Sequence, residues 1–284
     1  MKKAGYIRYG NVDDTLERLN RAIRSGGIIT LAGLGGVGKS RMLEQLAVEE
    51  PRILEKDQIA LVQMLRPARR SFGKDRIATP PAMVFFSRLW YVIQKMSRLT
   101  YKEWLETLDR NPAHHYTDPQ FLSLHANIAE AFEQRHIALV LADNIEDIDG
   151  VTLDWLVHLW NDCGKRFAIV LCAQMKPNAT PDEPFADLWS YVSNDAREYL
   201  VDELVLDRMD KSTFVELVLP ALLDELNADY GSGVSLSGPV WQRTQGNWHS
   251  LTRLVTFFDE ELAADKRSPR IITQDIVDRV FARR

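Results

Sequence analysis

The eight residues from Gly33 to Ser40 constrain the fold of this chain more than any other segment. They read GLGGVGKS, a complete G-x-x-x-x-G-K-S phosphate loop. In such a loop the glycines let backbone N–H groups turn toward phosphate oxygens, the lysine reaches the β and γ phosphates, and the serine hydroxyl ligates Mg²⁺. The flanks agree, because residues 27–32 are an apolar run typical of a buried strand and residues 41–47 favour a helix. The residues expected to contact a nucleotide are Gly33, Gly35, Gly36, Val37, Gly38, Lys39, Ser40 and Arg41.

Composition narrows the class of protein. The chain has 284 residues, 45% of them hydrophobic and 26% charged, which is ordinary for a soluble globular protein with one large domain and a smaller one. No apolar run is long enough to span a membrane and the N-terminus lacks a secretory signal, so we expect a cytoplasmic protein with no membrane partner. Cys163 and Cys172 lack metal-ligand spacing, and the pattern favours reduced structural thiols. The net charge of −5 does not by itself indicate a nucleic-acid partner.

Apolar runs separated by helical segments predict an α/β fold. The runs lie at 27–32, 59–64, 137–142, 167–173 and, more acidic, 200–206. Near-continuous apolar strands are what a parallel sheet covered on both faces requires, so the sequence predicts a three-layer αβα core with about five parallel strands. After residue 206 only helical patterns follow. We therefore predict a nucleotide-binding core over 1–207 and a small helical lid over 208–284.

Asp143 follows the third apolar run directly. Phosphate-loop enzymes place a carboxylate at the end of a neighbouring strand to hold Mg²⁺ beside the loop serine. The sequence therefore predicts Asp143 and Ser40 as the metal ligands. The next residue is Asn144, and an amide cannot accept a proton from an attacking water as a carboxylate does, so we expect slow hydrolysis. Glu146 and Asp147 are the alternative bases, although both are also interpretable as solvated loop residues.

Two further polar residues follow or precede predicted strands. Gln174 ends the fourth strand and is a candidate sensor of the γ-phosphate, with a plain loop glutamine as the alternative. Arg197 precedes the fifth strand and is a candidate finger that reaches the nucleotide of a neighbouring subunit. A surface ion pair is the open alternative for Arg197.

The segment 66–76 is the most positively charged part of the chain. It follows the second strand and holds five cations, one acid and one aromatic. Such a concentration is a candidate contact to a nucleic-acid backbone, with a solvated charged loop as the alternative. The candidate DNA-binding residues are Arg66, Arg69, Arg70, Lys74 and Arg76.

These motifs together resemble AAA+ ATPases. The resemblance rests on the phosphate loop, on Asp143 after an apolar strand, on the strand that ends in Gln174, on the Arg197 region, and on residues 245–254 (QGNWHSLTRL) in the predicted lid. The chain is most similar to the target-selecting ATPases of bacterial transposons, of the TnsC, TniB and MuB type. The resemblance covers nearly the whole chain in the order and spacing of its elements.

The resemblance implies a function and a set of partners. It implies binding of ATP and Mg²⁺, assembly into rings or filaments on double-stranded DNA, and DNA contacts from the segment 66–76. It also implies recruitment of a transposase and a targeting protein to the marked DNA. The chain departs from the family at Asn144, where the family usually has Glu, and at His249, where many members carry a sensing arginine and Arg253 is a substitute one turn on.

Two other functions fit the same motifs. The phosphate loop and the LADNIE segment at 141–146 also look like signal-transducing NTPases with numerous domains, which usually continue into sensor or repeat domains. A hydrolysis-impaired ATPase that acts as an ATP-dependent adaptor is the other alternative. Asn144 is the main support for the adaptor.

Overall fold

Five segments of the chain form one parallel sheet. In the computed structural model they are β1 (Gly27–Gly33), β2 (Ile59–Gln63), β3 (Leu139–Asp143), β4 (Ala168–Gln174) and β5 (Leu200–Val205). The strand order is β2-β3-β4-β1-β5, and every neighbouring pair is parallel. The predicted α/β class and the five parallel strands are confirmed.

The structure describes residues 10–49, 54, 58–64, 81–95, 119–145, 148–175, 199–231, 233–265 and 270–283. These residues group into two units. The α/β unit combines Thr15–Gly33 with Lys39–Val205, and the C-terminal unit combines the described part of Met1–Asp14 with Leu34–Gly38 and Leu206–Arg284. The sheet-containing unit thus ends at Val205, whereas the sequence predicted that it ends at residue 207. The middle of the phosphate loop groups with the C-terminal unit.

The sheet is covered on both faces at its centre. Every residue of β1 and β3 is buried, although successive side chains of a strand point to opposite faces. In the edge strand β5, by contrast, buried and more exposed residues are mixed, and Val201 is 45% exposed. Burial of both faces is what parallel sheets require. It is compatible with a three-layer αβα core.

The helices of the α/β unit lie before and between the strands in the chain. They are α1 (Gly10–Ser25), whose first residues belong to the other unit, α2 (Lys39–Glu49), α3 (Pro81–Gln94), α4 (Pro119–Gln134) and α5 (Gly150–Asp162). α2 packs against β1, β2 and β3, which fixes the helix that follows the phosphate loop. α3 packs against β2, α4 and α5.

An aromatic cluster joins α3, α4 and α5. Phe121 of α4 meets Phe86 of α3 and Trp155 of α5 edge to face, with ring centroids 5.6 and 4.9 Å apart. His125 lies in the same cluster, 5.1 Å from the ring centroid of Trp155, and is buried. These edge-to-face contacts stabilise the helical layer beyond simple burial of area.

The C-terminal unit is mainly helical. It contains α6 (Lys211–Thr213), which continues through a π-helical segment (Phe214–Val218) into α7 (Leu219–Leu226), and then α8 (Ser237–Thr244), α9 (Trp248–Asp265) and α10 (Gln274–Ala282). Asp210 caps α6, because its carboxylate accepts a hydrogen bond of 2.9 Å from the Thr213 N–H. The sequence predicted helices alone in this region, whereas β6 (Asp229–Tyr230) and β7 (Ile271–Ile272) form a short parallel pair. Strands of two residues are too short to leave a periodic signal in the sequence.

Pro220 accounts for the π-helical segment. Proline lacks an N–H and its ring clashes with the carbonyl four residues earlier, so a regular α-helix cannot run through it undisturbed. The chain instead widens by one residue, and the Leu219 N–H donates to the carbonyl of Phe214, five residues back. The helix then continues as α7.

Among the described residues, no helix is both long and apolar enough to cross a membrane.

Candidate functional site

The phosphate loop lies between β1 and α2, as the sequence predicts. β1 ends at Gly33 and α2 begins at Lys39. Gly36 has φ of +78° and Gly38 has φ of +101°, conformations that residues with a side chain rarely adopt. The glycines at these two positions are therefore required by the backbone of the loop.

The side chain of Lys39 turns back toward Gly33, at the start of the loop. Its side chain is buried, and the ammonium donates a hydrogen bond of 2.8 Å to the carbonyl oxygen of Gly33. The same oxygen accepts a bond of 2.9 Å from the backbone N–H of Met175, which follows β4. The Gly33 carbonyl thus bonds both the lysine and the residue that follows β4, at the carboxyl edge of the sheet. Ser40, the next residue, is half-buried in the first turn of α2.

The two carboxylate oxygens of Asp143 differ in their hydrogen bonding. The residue is 1% exposed at the end of β3. Its Oδ1 accepts a hydrogen bond of 3.0 Å from the Asn144 N–H, whereas its Oδ2 is buried without a hydrogen-bond partner among the residues that the structure describes. A buried carboxylate oxygen is costly unless something compensates it.

The donor set suits Mg²⁺. Mg²⁺ in nucleotide sites takes one or two carboxylates, phosphate oxygens and water, and does not need a cage of several protein ligands. Asp143 offers the unbonded carboxylate oxygen and Ser40 offers a hydroxyl. Within the described ranges no group of three or more His, Cys, Asp or Glu side chains is close enough to hold a metal.

Asn144 adopts a left-handed backbone conformation, with φ of +58°. Asparagine tolerates this region better than most residues with a side chain. Its backbone N–H donates to the carboxylate of Asp143. Asn144 therefore helps to orient the Asp143 carboxylate.

The sheet register aligns the predicted sensor with the loop. Gln174, the last residue of β4, pairs with Gly33, the last residue of β1, and its side chain is exposed. The strand order reverses between β4 and β1, and in open α/β sheets ligands bind outside the carboxyl ends of the strands at such a point.

Arg41, in the first turn of α2, forms an ion pair of 3.4 Å with Glu44.

Within the C-terminal unit, the start of α9 contacts the middle of the loop. The Asn247 Nδ2 donates a hydrogen bond of 2.9 Å to the carbonyl of Gly35, and the Trp248 N–H donates one of 2.8 Å to the carbonyl of Gly36. His249 and Arg253, the two residues of this segment that were predicted to sense the nucleotide, are exposed. The guanidinium of Arg253 lies over the ring of Phe257, 5.4 Å from its centroid.

Several predicted residues lie outside the described part of the chain. They are the candidate base Glu146, the candidate finger Arg197 and the candidate DNA-binding residues Arg66, Arg69, Arg70, Lys74 and Arg76.

Neither Asn247 nor Trp248 was predicted to contact the loop. One signal was present: Asn is a favoured N-cap residue and precedes the apolar pattern of α9. Its capping of the Ser250 N–H, at 3.0 Å, follows from that signal. Its second hydrogen bond, to a residue 212 positions away, does not.

Comparison with known proteins gives no relative. No family model matches the chain, and no curated protein is significantly similar to it.

Proposed function

We propose that this protein binds ATP with Mg²⁺ at the loop Gly33–Ser40. One observation carries the proposal: a complete phosphate loop lies between a buried strand and a helix, and an Asp two strands away in the same sheet keeps a buried, unbonded oxygen. A chance glycine-rich turn would not need a buried carboxylate oxygen without a hydrogen bond nearby in the sheet. The geometry therefore supports a magnesium-dependent nucleotide site better than a structural turn.

Each residue of the proposed site has a role that its chemistry permits. Lys39 would exchange the Gly33 carbonyl for the β and γ phosphate oxygens, which are stronger partners for an ammonium. The N–H groups at the start of α2 and the partial positive charge of that helix end favour an anion. Ser40 and Asp143 would hold Mg²⁺, which when bound neutralises phosphate charge. Gln174 would sense the γ-phosphate, and Asn144 would leave the attacking water without a carboxylate base at that position.

We further propose that the protein is an AAA+ ATPase that acts on DNA. In this proposal it assembles as rings or filaments on double-stranded DNA in the cytoplasm, marks a target for transposition, and recruits a transposase and a targeting protein. The support is the resemblance in motif order together with the basic segment 66–76, whose five cations stand out in a chain of net charge −5. In the assembled form Arg197 would reach the nucleotide of the neighbouring subunit.

Asn144 favours a second candidate. A chain that binds ATP but lacks the usual carboxylate base would remain in its ATP state for long periods. Such a protein would act as an ATP-dependent adaptor on DNA, with assembly controlled by binding and not by turnover.

Co-sedimentation with duplex DNA tests the DNA proposal. With a non-hydrolysable ATP analogue at low salt, the wild-type protein should pellet with the DNA, and binding should fall steeply as salt rises. The double substitution Arg69→Glu and Arg70→Glu should abolish pelleting and leave nucleotide affinity unchanged. Arg21→Glu with Arg24→Glu, an equal charge reversal on the exposed face of α1, is the matched control and should still pellet. Absence of wild-type binding at low salt would refute the DNA proposal.

A further inference from the structure

Asn247 occupies two hydrogen-bonding positions at once. Its Oδ1 accepts from the Ser250 N–H at 3.0 Å, which caps the first turn of α9. Its Nδ2 donates to the Gly35 carbonyl at 2.9 Å, in the middle of the phosphate loop. A residue that only capped the helix would not need an amide, since serine or aspartate caps equally well.

The backbone of α9 makes a second contact with the loop. The first N–H groups of a helix lack partners within the helix. At α9 the Trp248 N–H finds its partner in the Gly36 carbonyl, at 2.8 Å. Two successive carbonyls of the loop, those of Gly35 and Gly36, are therefore turned toward the start of α9.

Because the peptide bond is planar, these contacts also set the direction of the following N–H groups in the loop. In a trans peptide the C=O and the following N–H point in opposite directions. When the Gly35 carbonyl points to Asn247, the Gly36 N–H points away from α9, and the Gly36 carbonyl likewise directs the Val37 N–H away. Successive N–H groups that point to one side form a concavity that binds anions. The contacts from α9 therefore orient two amide donors of the loop.

The loop is shaped to fit Asn247. A Cβ added to Gly36 would overlap the side-chain amide of Asn247. The Trp248 indole lies against Gly38, with its Cδ1 3.3 Å from the position that a Cβ would occupy there. Glycines at these positions thus serve the close approach of α9 as well as the positive φ angles.

We infer that Asn247 is a positioning residue for phosphate binding, an inference that rests on the proposed nucleotide site. It holds the Gly35 carbonyl turned outward, so that the loop presents the Gly36 and Val37 N–H groups to the β and γ phosphates before the nucleotide arrives. The same bond makes the shape of the loop depend on the start of α9.

Two substitutions separate capping from positioning. Asn247→Ser keeps a neutral side chain that caps helices as well as asparagine but is too short to reach the Gly35 carbonyl. Asn247→Ala removes both functions. Thermal unfolding should give a melting temperature for Asn247→Ser close to that of the wild type and a lower one for Asn247→Ala.

Titration with ATP in the presence of Mg²⁺ then tests the inference. Both variants should bind about tenfold more weakly than the wild type, which corresponds to the loss of one hydrogen bond that orders the loop. In turnover assays KM should rise, because the loop must order as the nucleotide binds. If Asn247→Ser binds ATP as the wild type does and only Asn247→Ala is impaired, Asn247 is a cap alone and the inference is wrong. If the wild type itself binds no ATP, the proposed nucleotide site fails first.

Discussion

At the scale of the residue, the pair Asp143 and Asn144 shows how backbone conformation and chemistry constrain each other. Asn144 was predicted to slow hydrolysis because it replaces a carboxylate. The structure adds a conformational reason for asparagine, since φ at this position is +58°. An ordinary L-residue pays about 1–2 kcal/mol in the left-handed region.

The substitution Asn144→Glu should therefore have two effects. It should raise the rate of ATP turnover by about tenfold or more, because a positioned general base contributes at least that much. It should also lower the free energy of unfolding by about 1 kcal/mol. Asn144→Gly is the control, since glycine accepts the conformation and adds no carboxylate, and its turnover should match that of the wild type. An Asn144→Glu protein that folds and binds ATP but turns over no faster would show that the base lies elsewhere.

Gly36 offers a test of the loop backbone with a matched partner. Gly36 and Gly233 have φ of +78° and +79°, but a Cβ at Gly36 would overlap Asn247, whereas one at Gly233 would meet nothing within 4 Å. Gly233→Ala should cost about 1 kcal/mol of stability, from the φ angle alone. Gly36→Ala should cost more and should also weaken ATP binding. Urea unfolding of both variants gives the comparison, and equal losses with unchanged affinity would mean that the Gly36 contact is unimportant.

At the scale of the element, the sequence predicted the strands well and the contacts between distant segments poorly. β1, β3 and β4 are continuous apolar runs because they are buried on both faces, and such runs are visible without a structure. Asp143 was found for the same reason, as the first charge after a buried run. The bond from Asn247 to Gly35 joins residues far apart in the chain, and no local pattern encodes it.

The aromatic cluster between α3, α4 and α5 makes stability depend on pH. His125 donates from Nε2 to the Trp155 carbonyl at 3.3 Å, and burial lowers the pKa of its imidazole below the ordinary value of 6.5. In the unfolded chain the imidazole takes up a proton near that ordinary pKa, while the folded protein resists protonation. The contribution of His125 to stability is therefore full above about pH 6.5 and is lost as the pH falls through the lower folded-state pKa.

Melting temperatures between pH 8 and pH 5 measure this effect. The wild type should lose stability as the solution is acidified below about pH 6.5, and His125→Phe should lose less over the same range. His136→Asn is the control, because His136 is exposed and its positive φ of +52° suits asparagine. A His125→Phe slope as steep as that of the wild type would assign the pH dependence to other groups.

At the scale of the whole molecule, each of the two units, taken by itself, contains part of the loop Gly33–Ser40. The α/β unit supplies Lys39, Ser40 and Asp143, which suit a nucleotide with Mg²⁺. The C-terminal unit supplies the contacts of α9 with the middle of the loop. The proposed role on DNA adds the basic segment 66–76, whose support is its sequence. Magnesium-dependent binding of ATP is the claim on which the other proposals depend.

Calorimetric titration of ATP into the full chain tests that claim most directly. We predict saturable binding of about one nucleotide per chain in the presence of Mg²⁺ and weaker binding when the metal is chelated. Lys39→Ala should reduce the affinity about a hundredfold or more, because it removes a charged contact to phosphate, and Asp143→Asn should reduce the difference that Mg²⁺ makes. Lys211→Ala, which removes an exposed cation at the start of α6, should bind as the wild type does. If the wild type shows no saturable binding with Mg²⁺, or if Lys39→Ala leaves the affinity unchanged, the loop Gly33–Ser40 is not a magnesium-dependent ATP site.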